Sequence, residues 1–259
     1  MDTPLRYGWR RDLPDQRDRF YEAPLHLLQA LPASVDLRAQ CPPVYDQGNL
    51  GSCTANAIAG LIEFDERKAG MPNPWTPSRL FIYYNERDLE GTTTTDSGAA
   101  IRDGIKVAVS QGVCPESLWP YDITQFATKP TPACYAVAAH DRISAYLRIP
   151  QNLLTLKTRL ADGFPFAFGF TVYSSMETPE VARTGIIPLP QPPAGVVGGH
   201  AICAVGYEDS QNMVIIRNSW GTGWGDAGYG YMPYAYINDA GLAADFWTLR
   251  SAPGGQPLG

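Results

Sequence analysis

The chain reads as an α+β protein, with helical patterning in its first half, strand patterning in its second, and a change of character after Tyr146. Three observations carry that reading. From Ser52 the apolar residues Ala55, Ile58, Ala59 and Ile62 recur at three- and four-residue steps, and Asp65, Glu66, Arg67 and Lys68 mark a solvated end. Phe164 to Val172 alternates aromatic with small residues, the period of a strand. His200 to Tyr207 and Met213 to Arg217 are apolar runs of strand length. Helices followed by strands, not alternating with them, favour two segregated lobes.

Taken in order, residues 1–31 form an extension. Arg6, Arg10, Arg11, Arg17 and Arg19 are interspersed with Asp12, Asp15 and Asp18, and Pro4 and Pro14 interrupt any helix. Composition alone predicts a surface-draped or disordered tail. The helix that begins after Ser52 is stopped by Gly70-Met71-Pro72-Asn73-Pro74. A second helix is expected over Leu80–Leu89 and a third over Ile101–Ser110, closed by Gly112. Pro188–Pro193 is a proline-rich loop, and no internal repeat is visible.

At 259 residues the chain is long enough for one large domain or two lobes sharing a cleft. A net charge of −6 argues against nucleic acid or an anionic membrane as the main partner. No run approaches the roughly 20 apolar residues of a membrane helix. The first eleven residues lack the apolar core of a secretory signal, so we expect a cytoplasmic protein or one whose leader is absent from this chain. Five cysteines, at 41, 53, 114, 134 and 203, leave at least one free thiol and are too few for a disulfide scaffold. Cys114 and Cys134 flank Trp119-Pro120-Tyr121, where an oxidising compartment would allow a disulfide. Cys41 and Cys203 read as buried thiols. A zinc set of Cys41, Cys53, Cys203 and His200 is rejected, because none has the close paired spacing of zinc ligands.

The chemistry concentrates in three blocks. Cys53 closes Gln47-Gly48-Asn49-Leu50-Gly51-Ser52-Cys53. A single cysteine is more often a small buried hydrophobe. This one, however, stands at the start of a predicted helix, where free N–H groups and the helix dipole favour a thiolate. A thiol nucleophile needs a base, and the base needs a group to orient it. His200, in Gly198-Gly199-His200-Ala201, is the candidate base, whereas His26 and His140 sit in ordinary contexts. Asn218, in Asn218-Ser219-Trp220-Gly221-Thr222-Gly223-Trp224-Gly225, is the candidate orienter; the bland alternative is a strand-end turn with packing tryptophans.

These blocks, with Leu31-Pro32-Ala33-Ser34-Val35-Asp36-Leu37-Arg38 ahead of them and the second continuing as His200-Ala201-Ile202-Cys203-Ala204-Val205-Gly206-Tyr207, resemble those of the papain-like cysteine peptidases. The spacing of about 150 residues between Cys53 and His200 fits that pattern. The resemblance runs from about Leu31 to Thr248. It implies a papain-like two-lobed fold over 32–250, with a helical left lobe at roughly 40–145 and an antiparallel β-barrel-like right lobe at roughly 146–235. The active-site cleft would lie between them, a C-terminal strand would cross back, and 251–259 would be a flexible tail.

The resemblance also implies roles. Cys53 would attack a peptide carbonyl to form a thioester acyl-enzyme, and His200 would act as base and then as acid. Asn218 would orient His200, with Trp220 shielding their hydrogen bond. Gln47 and the Cys53 N–H would donate to the oxyanion. No metal or organic cofactor is implied, the substrates would be peptides or proteins, and a monomer is expected. Residues 1–31 would take the place of a propeptide and lie along the cleft as an inhibitor, although they lack the long charged helix of the family. Gly98 and Ala99 would pair with an extended substrate. Gly198 and Ala201 would line the pocket for the second residue on the acyl side, and Gly199 and Trp220 would also bind substrate. Asp245 would floor the pocket for the second residue on the acyl side (S2) and favour Arg or Lys there; its bland reading is an exposed charge.

Two positions depart from the family pattern: Leu50 replaces a usual half-cystine and Thr54 a usual aromatic. Two other functions stay open, a catalytically silent peptide-binding relative and an acyl-transferring one. The intact Cys53, His200, Asn218 and Gln47 speak against the first.

Overall fold

A computed structural model describes residues 7–251 of the chain. The first six residues of the extension and all but Ser251 of the expected tail lie outside the described residues. The extension contributes one short helix, α1 (Leu25–Gln29), and is followed by strand β1 (Ser34–Asp36). The helical lobe holds α2 (Cys53–Lys68), α3 (Arg79–Glu90), α4 (Ile101–Ser110) and α5 (Pro132–Ala138). The remainder runs β2 (Ala145–Arg148), α6 (Leu153–Ala161), β3 (Phe166–Tyr173), α7 (Pro179–Thr184), β4 (Val196–Glu208), β5 (Met213–Arg217), β6 (Tyr229–Pro233), α8 (Tyr234–Asn238) and β7 (Ala243–Arg250).

The strands form one antiparallel sheet in the order β2-β7-β3-β4-β5-β6, with β1 paired to the far end of β4. The α+β, two-lobed expectation therefore holds. The barrel-like description of the right lobe needs amending: β2 and β6 end the sheet without pairing to each other, their outer edges bridged only at Arg148 to Phe20 and at Tyr231 to Ile186, so among the described residues the sheet is open. The final strand, β7, returns between β2 and β3.

The central helix α2 explains how the lobes meet. Every residue from Cys53 to Glu66 is buried, because α2 packs on α3 and α4 on one side and on β4 on the other. Asp65 and Glu66, expected at a solvated end, are therefore buried, and the helix emerges only at Arg67 and Lys68. Helix α3 begins where Ser78 Oγ accepts the Phe81 N–H at 3.1 Å and ends at Gly91, whose φ of +73° suits a left-handed cap.

Strand β3 shows why large and small residues alternate along it. Phe166, Phe168 and Phe170 bury one face in the sheet core, where Phe168 stacks on Phe246 with centroids 5.4 Å apart. Ala167 and Gly169 point the other way, and that face is also covered. A Cβ on Gly169 would lie 1.9 Å from the Trp9 ring. The strand starts two residues later than its aromatic pattern suggests, since Pro165 has no N–H for the ladder. Conversely, β4 begins at Val196, ahead of His200, because Gly198 and Gly199 pair as strand despite weak strand propensity.

Candidate active site

Cys53 is the first residue of α2, and Ser52 before it makes no side-chain cap, so the helix start leaves its N–H groups open. The loop leading to it is braced from below. Tyr121 Oη lies 2.5 Å from Ser52 Oγ and donates to the Gln47 carbonyl oxygen at 3.0 Å. Asn56 Nδ2 donates to the Ser52 carbonyl at 2.9 Å. Behind the nucleophile position, Thr54 Oγ1 donates to the buried Glu86 at 2.6 Å.

The β lobe delivers the imidazole alongside. Cys203 of β4 donates its thiol to the Ala57 carbonyl at 3.3 Å, which sets β4 along α2; one turn back, the Ala201 N–H lies on the Cys53 sulfur. His200, the neighbour of Ala201, is wholly buried. Its Nε2 is 2.8 Å from Asn218 Oδ1, an oxygen that also accepts the Ser219 N–H at 2.8 Å. Since Oδ1 accepts from Ser219, it is an acceptor toward the ring as well, and Nε2 must carry the proton. Nδ1 then keeps the lone pair, and it has no hydrogen-bond partner among the described residues. Trp220 stacks on the ring at 4.6 Å and Trp224 meets Trp220 edge-on at 5.4 Å, keeping water from the pair.

Gln47 is fixed by the same segment. Its N–H donates to the Ser219 carbonyl at 2.8 Å, and Ser219 Oγ donates to Gln47 Oε1 at 2.6 Å. This turns the amide nitrogen toward the Cys53 loop, where Nε2 donates to the Leu50 carbonyl at 2.8 Å. Ser219 thus orients two candidate residues at once. Sequence reasoning missed it, although it stands inside the Asn-Ser-Trp block.

Residues 7–10 of the extension lie in the groove between the lobes. Trp9 N–H donates to the Gly199 carbonyl at 2.9 Å, Ala99 N–H to the Gly8 carbonyl at 2.8 Å, and Arg10 N–H to the Ala99 carbonyl at 3.0 Å. The bridge between Trp9 and Ala99 is parallel. Backbone comes so close that only glycine fits: a Cβ on Gly98, at φ +66°, would lie 2.0 Å from the Gly8 oxygen, and one on Gly198 would strike Tyr7. The Gly8 N–H also lies on the Cys53 sulfur. Tyr7 packs edge-on against His200 and Trp220 and hydrogen-bonds Glu177 at 2.8 Å. The tail expected from composition is therefore anchored by Trp9, Asp12 and Tyr21, all buried.

Burial under this segment sets the charge state. It pushes the Cys53 thiol up to about 12 and the His200 imidazole down to about 4, with Asn218 acting in the opposite direction on the ring. Both shifts favour the neutral forms in the covered site, against the pull of the helix start toward a thiolate.

Asp245 lies beside the Trp9 indole on β7, in a left-handed backbone conformation with φ of 59°. It is buried, contrary to the bland reading of an exposed charge. Its carboxylate is already engaged: Arg148 Nη2 donates to Oδ1 at 2.9 Å and the Asp12 N–H to Oδ2 at 2.8 Å. Asp12 in turn accepts Trp247 Nε1 at 2.7 Å and the Arg102 N–H at 3.2 Å. Burial, then the neighbouring Asp245 charge, raises Asp12 to about 6. The structure thus brings Gln47, Cys53, His200, Asn218, Gly98, Ala99, Gly198, Gly199, Ala201 and Trp220 around one groove, with Asp245 beneath the Trp9 ring.

A helical lobe and an antiparallel sheet that hold a thiol and an imidazole across a groove define a cysteine peptidase architecture. Residues 31–248 match the model of the papain family cysteine proteases, and the chain belongs to that family. It is 45% identical over 213 residues to a peptidase C1-like protein of Acanthamoeba polyphaga mimivirus, covering 79% of this chain and 68% of that one. Chymopapain of Carica papaya is 28% identical over 207 residues, covering 76% and 54% respectively. The crystal structure of xylellain, a cysteine protease from Xylella fastidiosa, superposes with a TM-score of 0.90 at 43% identity, covering 98% of this chain and 100% of that one. The protein is accordingly a papain-like cysteine peptidase, and its substrates are peptides or proteins.

Proposed function

We propose that Cys53 is the nucleophile of an endopeptidase, with His200 as base and acid, Asn218 as orienter and Gln47 as oxyanion donor. The observation that carries this reading is the double acceptor Asn218 Oδ1, which leaves His200 Nδ1 as the proton acceptor on the ring. The thiol proton passes to Nδ1 as sulfur attacks the peptide carbonyl. The tetrahedral oxygen takes up hydrogen bonds from Gln47 Nε2 and the Cys53 N–H, the latter at the positive end of α2. His200 returns the proton to the leaving amine, and water then hydrolyses the thioester. Cys53→Ala should abolish cleavage of a peptide library and labelling by an epoxide at pH 6. Labelling at a cysteine other than Cys53 would overturn the assignment.

Residues 7–13 are proposed as a built-in inhibitor of this groove. The parallel bridge to Ala99, the Trp9 ring on Gly169 and the anchoring of Asp12 on Asp245 support it. A chain beginning at Leu31 should cleave faster than the full chain; equal rates would sink the idea.

At S2, two preferences follow from the Asp245 register, basic or apolar. Arg148, which pairs with Asp245 at 2.9 Å, belongs to β2 and not to the extension, and the Trp9 indole beside Asp245 supports an apolar occupant. We therefore favour large apolar residues at S2 over basic ones. A cleavage profile enriched in Arg or Lys at that subsite would reverse this.

A further inference from the structure

Away from the groove, two thiols face one another in a small satellite core. Gly112, at φ +84°, brings the chain so close to α5 that a Cβ there would lie 1.7 Å from the Ala138 carbonyl oxygen. Val113 N–H then donates to the Asp141 carbonyl at 3.1 Å. The next residue is Cys114, and Cys134 stands one helical turn before Ala138 on the same face of α5. Both cysteines are wholly buried with Phe81 and Ala138, and the Cys134 thiol acts on that of Cys114 by charge and by hydrogen bonding. The remaining non-catalytic thiols are placed differently. Cys41 donates to the Leu37 carbonyl at 3.5 Å and Cys203 to the Ala57 carbonyl at 3.3 Å, each held by backbone.

We propose that Cys114 and Cys134 are a disulfide site, oxidised by a low-molecular-weight disulfide such as oxidised glutathione as the chain folds, and that the bridge braces the wall of the active site. One thiolate attacks the small disulfide, forming a mixed disulfide and releasing one small thiol. The second protein thiolate displaces the other small thiol and forms the Cys114–Cys134 bond. The two protein S–H protons end on the two released thiols, so two protein sulfurs are oxidised and one small disulfide is reduced. Burial raises the Cys114 thiol to about 12, so the folded protein offers little thiolate and the reaction belongs to the folding chain.

The bracing follows from what the bridged segment carries. The Trp119 carbonyl accepts Ser78 Oγ at 2.7 Å, Glu116 pairs with Arg79 at 2.7 Å, and the Arg79 guanidinium stacks on Tyr121 at 3.9 Å. Tyr121 holds both Ser52 and Gln47, which flank the turn delivering Cys53. Closing a loop of about 20 residues restricts the unfolded segment and so protects that wall against thermal opening.

The test begins by refolding full-length Cys53→Ala in oxidised and reduced glutathione, so that the nucleophile takes no part. The expected product is about 2 Da lighter than the reduced chain, and its non-reduced digest links the peptides of Cys114 and Cys134. Cys41 and Cys203 should take up iodoacetamide in denaturant. Four alkylated thiols, a glutathione adduct as the final product, or a bridge elsewhere would overturn the site. In the active chain, oxidation should lengthen the half-life of activity at raised temperature severalfold. Cys134→Ser, or Cys134→Ala if the serine variant folds poorly, should abolish that difference. A bridged protein inactivating as fast as the reduced one would overturn the bracing.

Discussion

Asn218 Oδ1 accepts from both Ser219 N–H and His200 Nε2, and this one oxygen decides which ring nitrogen is basic. Asn218→Ala should leave the imidazole free to turn, lowering kcat far more than it raises KM. Ser219 Oγ aims Gln47 in the same way. Gln47→Ala should cost about 10²–10³ in kcat, the usual loss for one oxyanion donor. At Asp245 the predicted effect is on specificity: Arg148→Ala leaves that carboxylate uncompensated and should shift the S2 profile toward Arg and Lys, read from a peptide-library digest. Cys53, His200, Asn218 and Gln47, which the structure brings around one groove, are legible as candidates because each sits in a local motif. The Arg148–Asp245 pair was not, since it joins β2 to β7 and no short window contains both residues.

The next scale up is the segment from Tyr7 to Leu13. Its main anchor is Trp9, whose indole lies where Gly169 and Gly199 leave room. Trp9→Ala removes about 3 kcal/mol of packing, which weakens docking by about a hundredfold. Full-length Trp9→Ala should therefore approach the activity of a chain beginning at Leu31. A second control is titratable. Asp12 faces Asp245 and Trp247 from β7 and Arg102 from α4, and its value in the docked state is raised to about 6. A raised carboxylate favours the docked state when protonated. That contribution is full below the ordinary carboxylate range and is lost as pH rises through about 6. Full-length activity, relative to the truncated chain, should rise across that window, and Asp12→Asn should flatten the rise. The docking itself was poorly legible: alternating Arg and Asp resemble a solvated tail, and their partners lie in α4, β2 and β7. Short helices such as α5, which opens with Pro132 at a position that tolerates proline, hid for a related reason, as the proline-rich stretch reads as loop.

For the whole molecule, the groove exists because α2 is buried from both sides and carries Cys53 at its open end, while β4 runs beside it and carries His200. The order of helices then strands made this α+β architecture legible. The open sheet was less so, because closure depends on which edges pair, and β7 inserts between β2 and β3 from the far end of the chain. In the covered molecule, burial keeps the thiol and imidazole both neutral. On the proposed mechanism, removing the extension would admit water, which would solvate charge and allow the proton to pass from Cys53 to His200. The most direct measurement of this account is the iodoacetamide alkylation rate of Cys53 against pH, for the chain beginning at Leu31 with and without His200→Ala. With His200 present the rate should hold a fast plateau reaching well below the ordinary thiol range, and without it the rate should rise only near that range. Identical profiles for the two proteins would contradict it.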